Sequence, residues 1–165
     1  MSRARSDDRI LPSLLDRLID DDPTNSREAS KARSQVNREM KSSIRRDLEN
    51  LLNTRSRCTP LPPELKELER SLVEYGLPDF TGTNLSGSDN RDRLRSAIEQ
   101  TLRRFETRFK KVEVLAIESS SPTDRTLTFR INALLDIEPA PEMIAFDSAL
   151  EPLSGNFVLT ATRHV

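Results

Sequence analysis

One histidine, four glycines, one cysteine, one tyrosine and no tryptophan occur among the 165 residues. Each shortage removes a class of chemistry. His164 is the single histidine and stands next to the last residue, where chain ends fray, so a histidine triad, a proton shuttle and a His/Cys zinc site are all disfavoured. Gly76, Gly82, Gly87 and Gly155 are too scattered to assemble a phosphate-binding loop. Cys58 alone cannot form an internal disulfide, which fits a reducing compartment. With Tyr75 the sole Tyr and Trp absent, few flat faces exist for stacking sugars, although carboxylates are numerous enough for a glycosidase-like pair. No apolar run approaches the roughly 20 residues of a membrane span, and "MSRARSDDR" lacks a signal-type apolar segment. The composition points to a non-enzymatic cytoplasmic protein with no cofactor or metal.

What is present is charge of both signs. Charged residues make up 32% of the chain and nearly cancel, leaving −1, so no global field steers it to nucleic acid or an anionic membrane. The hydrophobic fraction of 35% is low for a globular chain, so part of the length lies outside the core. Residues 1–35 read as a tail of Ser, Arg and Asp around one apolar island, and residues 36–165 as a single domain. Within the island Leu11, Leu14, Leu15, Leu18 and Ile19 follow helical spacing. That segment either packs back on its own domain or serves as a linear docking element, with Leu14, Leu15 and Leu18 as partner-binding residues.

Three helices are predicted next. The first spans 35–53 with a stripe of Val36, Met40, Ile44, Leu48, Leu51 and Leu52. The second begins after Pro62-Pro63, buries Leu65, Leu68, Leu72 and Tyr75, and ends at Gly76-Leu77-Pro78 in a left-handed cap. The third, capped by Ser88 or Asp89, buries Leu94, Ile98, Leu102, Phe105 and Phe109. From Val112 the period changes to two: a strand opening at Val112, a loop over 119–124, then Leu127, Phe129, Ile131, Ala133 and Leu135 on one face. Further strands are expected at Met143–Phe146 and Phe157–Thr162. The fold expected is α+β: three helices, then an antiparallel sheet of about four strands, with the helices on one face.

Charge also segregates. The third helix through Lys111 carries eight bases against Asp92, Glu99 and Glu106, whereas from Leu134 onward five acids face only Arg163. Complementary packing within the domain is one account. A molecule with a basic and an acidic side, wedged between different partners, is the other. A nucleic-acid module would need bases interleaved with aromatics, which are not there.

Short signatures occur in order: "PSLLDRLIDDDP", "RRDLENLLNTR" at Arg45–Arg55, "YGLPDF" at Tyr75–Phe80, "FETR" at Phe105–Arg108 and "EPLSGNF" at Glu151–Phe157. Together they resemble the TssE family, the small baseplate-wedge subunits of bacterial type VI secretion systems, and more distantly the wedge proteins of contractile phage tails. Phage relatives carry an old lysozyme-like label, so a peptidoglycan hydrolase is the rival function. The resemblance implies an assembly part that joins the wedge subunits TssF, TssG and TssK and starts polymerisation of the TssB/TssC sheath, with the edge of Phe157–Thr162 as the expected strand acceptor. It also implies that Glu106 and Arg108 grip a wedge partner; read from the residues alone, an intramolecular salt bridge or a solvated flank is the favoured account. The family motif is usually Glu-Pro-Arg, and here Thr107 stands in the middle. Proline would fix the helix end, so Thr107 leaves room for a junction one turn longer.

Overall fold

The computed structural model describes residues 18–19, 33–68, 71–80, 82–83, 87–117, 126–137, 140–151 and 154–161. Among these residues two α-helices, α1 (Arg33–Asn53) and α2 (Ser88–Phe105), precede four strands: β1 (Phe109–Ile117), β2 (Leu127–Leu135), β3 (Glu142–Glu151) and β4 (Asn156–Ala161). The strands form one antiparallel sheet in the order β1-β2-β3-β4, so β1 and β4 are its edges. Helix α2 packs against β1 and α1 against β4. The apolar island at residues 11–17, the loop at 119–124 and Thr162 lie outside the described residues.

Period-two patterning decides which sheet face meets the helices. Val112, Val114, Phe129, Ile131, Leu135, Ile144, Phe146, Phe157 and Leu159 are buried against Ile44, Leu48 and Leu52 of α1 and Leu94, Ile98 and Leu102 of α2. Each fully buried Leu or Ile contributes about 1.5–3 kcal/mol. The opposite face carries the Arg130–Asp147 ion pair, its Nε–Oδ1 distance 2.8 Å, among exposed Leu115, Met143 and Val158. β3 continues well past the expected Phe146, because Ser148 and Leu150 keep the same inward phase.

One polar group breaks the inner face. The Ser148 side chain is fully buried, and its hydroxyl has no partner. An unsatisfied buried hydroxyl costs on the order of 1–3 kcal/mol. Ser148→Ala is therefore expected to raise stability by about 1 kcal/mol, read as a higher urea midpoint at unchanged slope.

The second predicted helix is not formed. Residues 62–68 run as tight turns, and residues 71–75 hold a 3-10 helix at Leu72–Glu74. The bonds step by three residues: Leu65 N–H to Pro62 O, Leu68 N–H to Leu65 O, and Ser71 N–H to Leu68 O. Ser71 competes for the backbone, its hydroxyl donating to Leu68 O at 2.8 Å and accepting from Val73 N–H at 3.3 Å. The helical face of the sheet is already covered by α1 and α2, so Leu65 and Leu72 stay 47% and 80% exposed. Without a face to bury, a short helix does not repay its nucleation cost.

Gly76 does adopt positive φ, +109°, just past the Tyr75 cap of the 3-10 helix, but no α-helix ends there. It runs beside the end of α1, where Leu77 N–H donates to Thr54 O (2.9 Å) and Ser56 N–H to Leu77 O (2.8 Å), and Leu77 is buried. The cap of α2 is also displaced by one residue. Gly87 is its N-cap, with no side-chain cap bond, and Ser88 donates to Asp89 instead.

Candidate functional site

Helix α2 ends at Phe105, and Phe109 already opens β1, so the missing proline does not lengthen the junction. The Glu106 side chain supplies the stop. Its Oε1 accepts from the backbone N–H of Arg108 at 3.1 Å, while its own N–H still closes the helix on Leu102 O. The turn is held here by a carboxylate.

The same carboxylate takes the Arg108 side chain in a two-pronged grip, from Nε to Oε1 at 2.7 Å and from Nη2 to Oε2 at 2.5 Å. Nη2 also donates to Asp47 Oδ2 of α1 at 2.9 Å. Glu106 is only 7% exposed, so its carboxylate does not stand on a solvated flank. The guanidinium thereby bridges the buried Glu106 to a second carboxylate brought by α1. Arg108 keeps 28% of its side chain exposed. Arg108 O accepts from Asp136 N–H at the end of β2 (2.8 Å), so one residue ties α1, the α2–β1 junction and β2.

Electrostatics follow from this packing. Burial works against the Arg108 charge, but the hydrogen bond and charge of Glu106, then those of Asp47, outweigh it and hold the guanidinium above its ordinary value. Tyr75 packs edge-on against Phe105, with ring centroids 5.3 Å apart. Burial, then the negative charges of Asp47 and Glu106, push its phenol above 10. A raised folded-state pKa means the folded chain keeps its proton where the unfolded chain has lost it. Stability from this group is thus complete below pH 10 and declines as pH rises beyond it. With one tyrosine and no tryptophan, tyrosinate absorbance isolates the effect: the midpoint should lie above 10 when folded and fall to the ordinary value in denaturant.

Leu14 and Leu15 lie outside the described residues, and Leu18 stands 82% exposed. The acidic C-terminal half is largely paired with bases: Lys110 with Asp136 (2.6 Å), Lys41 with Glu142 (2.7 Å) and Arg130 with Asp147. Three of the five acids thereby belong to complementary packing.

A second polar arrangement escaped the sequence reading. The main-chain groups of β4 that point away from β3 are met by side chains of α1. Asn53 accepts from Phe157 N–H at 2.7 Å and donates to Phe157 O at 2.9 Å; Glu49 accepts from Leu159 N–H at 3.0 Å; Arg45 donates to Leu159 O at 3.4 Å. On β1 the partners come from α2. Arg103 donates to Val112 O and Arg95 to Val114 O, each at 3.4 Å, and Glu99 accepts from Val114 N–H at 3.3 Å. Both helices use positions i, i+4 and i+8, as Arg45-Glu49-Asn53 and Arg95-Glu99-Arg103. That spacing was visible in the sequence, but it resembles ordinary helix-surface ion pairing.

The sequence matches the model of the family described as baseplate wedge protein gp25 over residues 38–140. The chain belongs to the gp25 baseplate wedge family. The matched span holds most of α1 and all of α2, β1 and β2, and with them Asp47, Glu106, Arg108 and both helix-borne triplets. This wedge protein is a structural component of a baseplate. Among solved structures, a chain of "The baseplate complex from the type VI secretion system" aligns at 18% identity with a TM-score of 0.48, covering 71% of this chain and 98% of that one. No curated protein matches this wedge protein at a significant level. No helix among the described residues is long and apolar enough to cross a membrane.

Proposed function

We propose that this wedge protein is a non-enzymatic, cytoplasmic building block of a type VI secretion baseplate. In this reading it joins TssF, TssG and TssK and offers its sheet as the first template for the TssB/TssC sheath. The observation that carries it is membership of the wedge family across the helical core and half of the sheet. The five ordered signatures, "FETR" and "EPLSGNF" among them, favour type VI relatives over phage ones. The hydrolase alternative loses support from the state of its best-placed carboxylates, since Glu106 and Asp47 share one guanidinium.

Wedge contact falls to the exposed quarter of Arg108 and the preformed turn around it, with Leu14, Leu15 and Leu18 as a second contact. Strand addition is better suited to β1 than to the expected β4, because Asn53 already satisfies both main-chain groups of Phe157 through short bonds. Co-expression with TssF and TssG followed by affinity capture tests the reading. The wedge subunits are expected to co-purify in a complex that withstands gel filtration. Capture of neither subunit would sink it, as would lysis of peptidoglycan that a single Asp or Glu substitution abolishes.

A further inference from the structure

Edge strands present unpaired N–H and C=O groups that template pairing with any other extended chain, including an identical one. Here both edges are lined by side chains that reproduce what a neighbouring strand would supply, a donor and an acceptor at alternate residues. Geometry separates the two sets. On β4 the Asn53 amide lies at 2.7 and 2.9 Å from the main chain of Phe157. On β1 all three contacts are 3.3–3.4 Å, and Arg103 is 62% exposed. Glu99 holds that set together by pairing with Arg103 at 2.6 Å and Arg95 at 3.4 Å.

We propose that Arg95, Glu99 and Arg103 form a displaceable guard on the β1 edge that prevents edge-to-edge pairing with a second copy of this chain. The Arg45, Glu49 and Asn53 set does the same on β4 and is fastened more firmly. The occupant excluded is a second copy because every copy carries the same β1 edge, whose main-chain groups are complementary to those of an identical strand. Long contacts at an exposed edge make β1 the side that opens first.

The full chain carrying Arg95→Ala, Glu99→Ala and Arg103→Ala, measured by sedimentation velocity over a concentration series, tests the guard. Wild type is expected to sediment as a monomer, and the folded triple variant to dimerise at least roughly tenfold more tightly. Ala116 lies on the outward phase of the same edge and is exposed, and proline is tolerated on an edge strand whose N–H faces away from the sheet. Adding Ala116→Pro should therefore return the triple variant to a monomer. If circular dichroism shows the triple variant unfolded, Glu99→Gln with Arg103→Ala serves in its place. Arg93→Ala, an exposed base on the same helix outside the set, should leave sedimentation unchanged. A variant as monomeric as wild type, an association that Ala116→Pro does not reverse, or a wild type already paired through β1 would each overturn the proposal.

Discussion

Arg108→Ala is expected to destabilise the domain by about 3–5 kcal/mol, the cost of leaving a buried carboxylate without its partner. Glu106 is the group left stranded: it is 7% exposed and would lose both prongs of the guanidinium. Asp47 would lose its 2.9 Å bond as well. Because Arg108 is partly exposed, water entering the gap moderates the loss toward the lower end of that range. The unfolding midpoint in urea reads the effect directly. Three companions locate its origin. Asp47→Asn, which leaves the Glu106–Arg108 grip intact, should cost only about 1 kcal/mol. Arg108→Lys should recover little, since one ammonium cannot reproduce the two-pronged geometry. Glu106→Leu combined with Arg108→Met should recover most of the stability, because an apolar pair leaves no buried charge.

The consequence for partner binding is practical. A loss of TssF or TssG capture in Arg108→Ala would mix unfolding with loss of contact. Asp47→Asn and Thr107 substitutions probe the same corner at much lower structural cost, because Thr107 is exposed and the Glu106–Arg108 grip does not involve Asp47. A socket for a wedge partner would be weakened by these mild variants, with the melting temperature unchanged for Thr107 variants and lowered by only roughly 2–4 °C for Asp47→Asn. A purely internal ion pair would not.

Much of this corner was legible in the sequence and the decisive part was not. Helix α1 and the alternation in β2 were plain because their apolar residues repeat at 3.6 and 2 over many positions. The failed helix at 62–75 had the same local spacing, but spacing reports only that a face exists, not that the sheet has room for it. Glu106 and Arg108 stood out by their place between two phenylalanines. Their fate depended on Asp47, sixty-one positions from Arg108, which no local pattern connects to them. The edge-lining triplets were hidden for a similar reason. An Arg-Glu-Arg spacing on a helix describes surface pairing equally well until the sheet edge is seen beneath it.

Gly76 shows how a correct local inference can acquire a different physical meaning, and it gives the second large expected effect. Gly76 and Gly82 both have positive φ, +109° and +82°. A side chain at Gly82 would meet nothing within 4 Å, so Gly82→Ala should cost only the backbone term, about 1–2 kcal/mol. A Cβ at Gly76 would collide with the backbone carbonyl of Thr54, which cannot rotate away as a flexible side chain could. That carbonyl also accepts from Leu77 N–H, so relieving the collision breaks the bond that seats a buried leucine beside α1. Gly76→Ala should therefore cost about 3 kcal/mol or more, the backbone term plus partial loss of Leu77 packing. The difference between the two alanine variants in urea denaturation isolates the close approach from the φ cost. Equal losses would mean that the chain beside Thr54 can shift freely. A much larger loss at Gly76 would establish that the segment after α1 is a fixed support, holding Tyr75 against Phe105 and Leu77 in the core that positions Arg108.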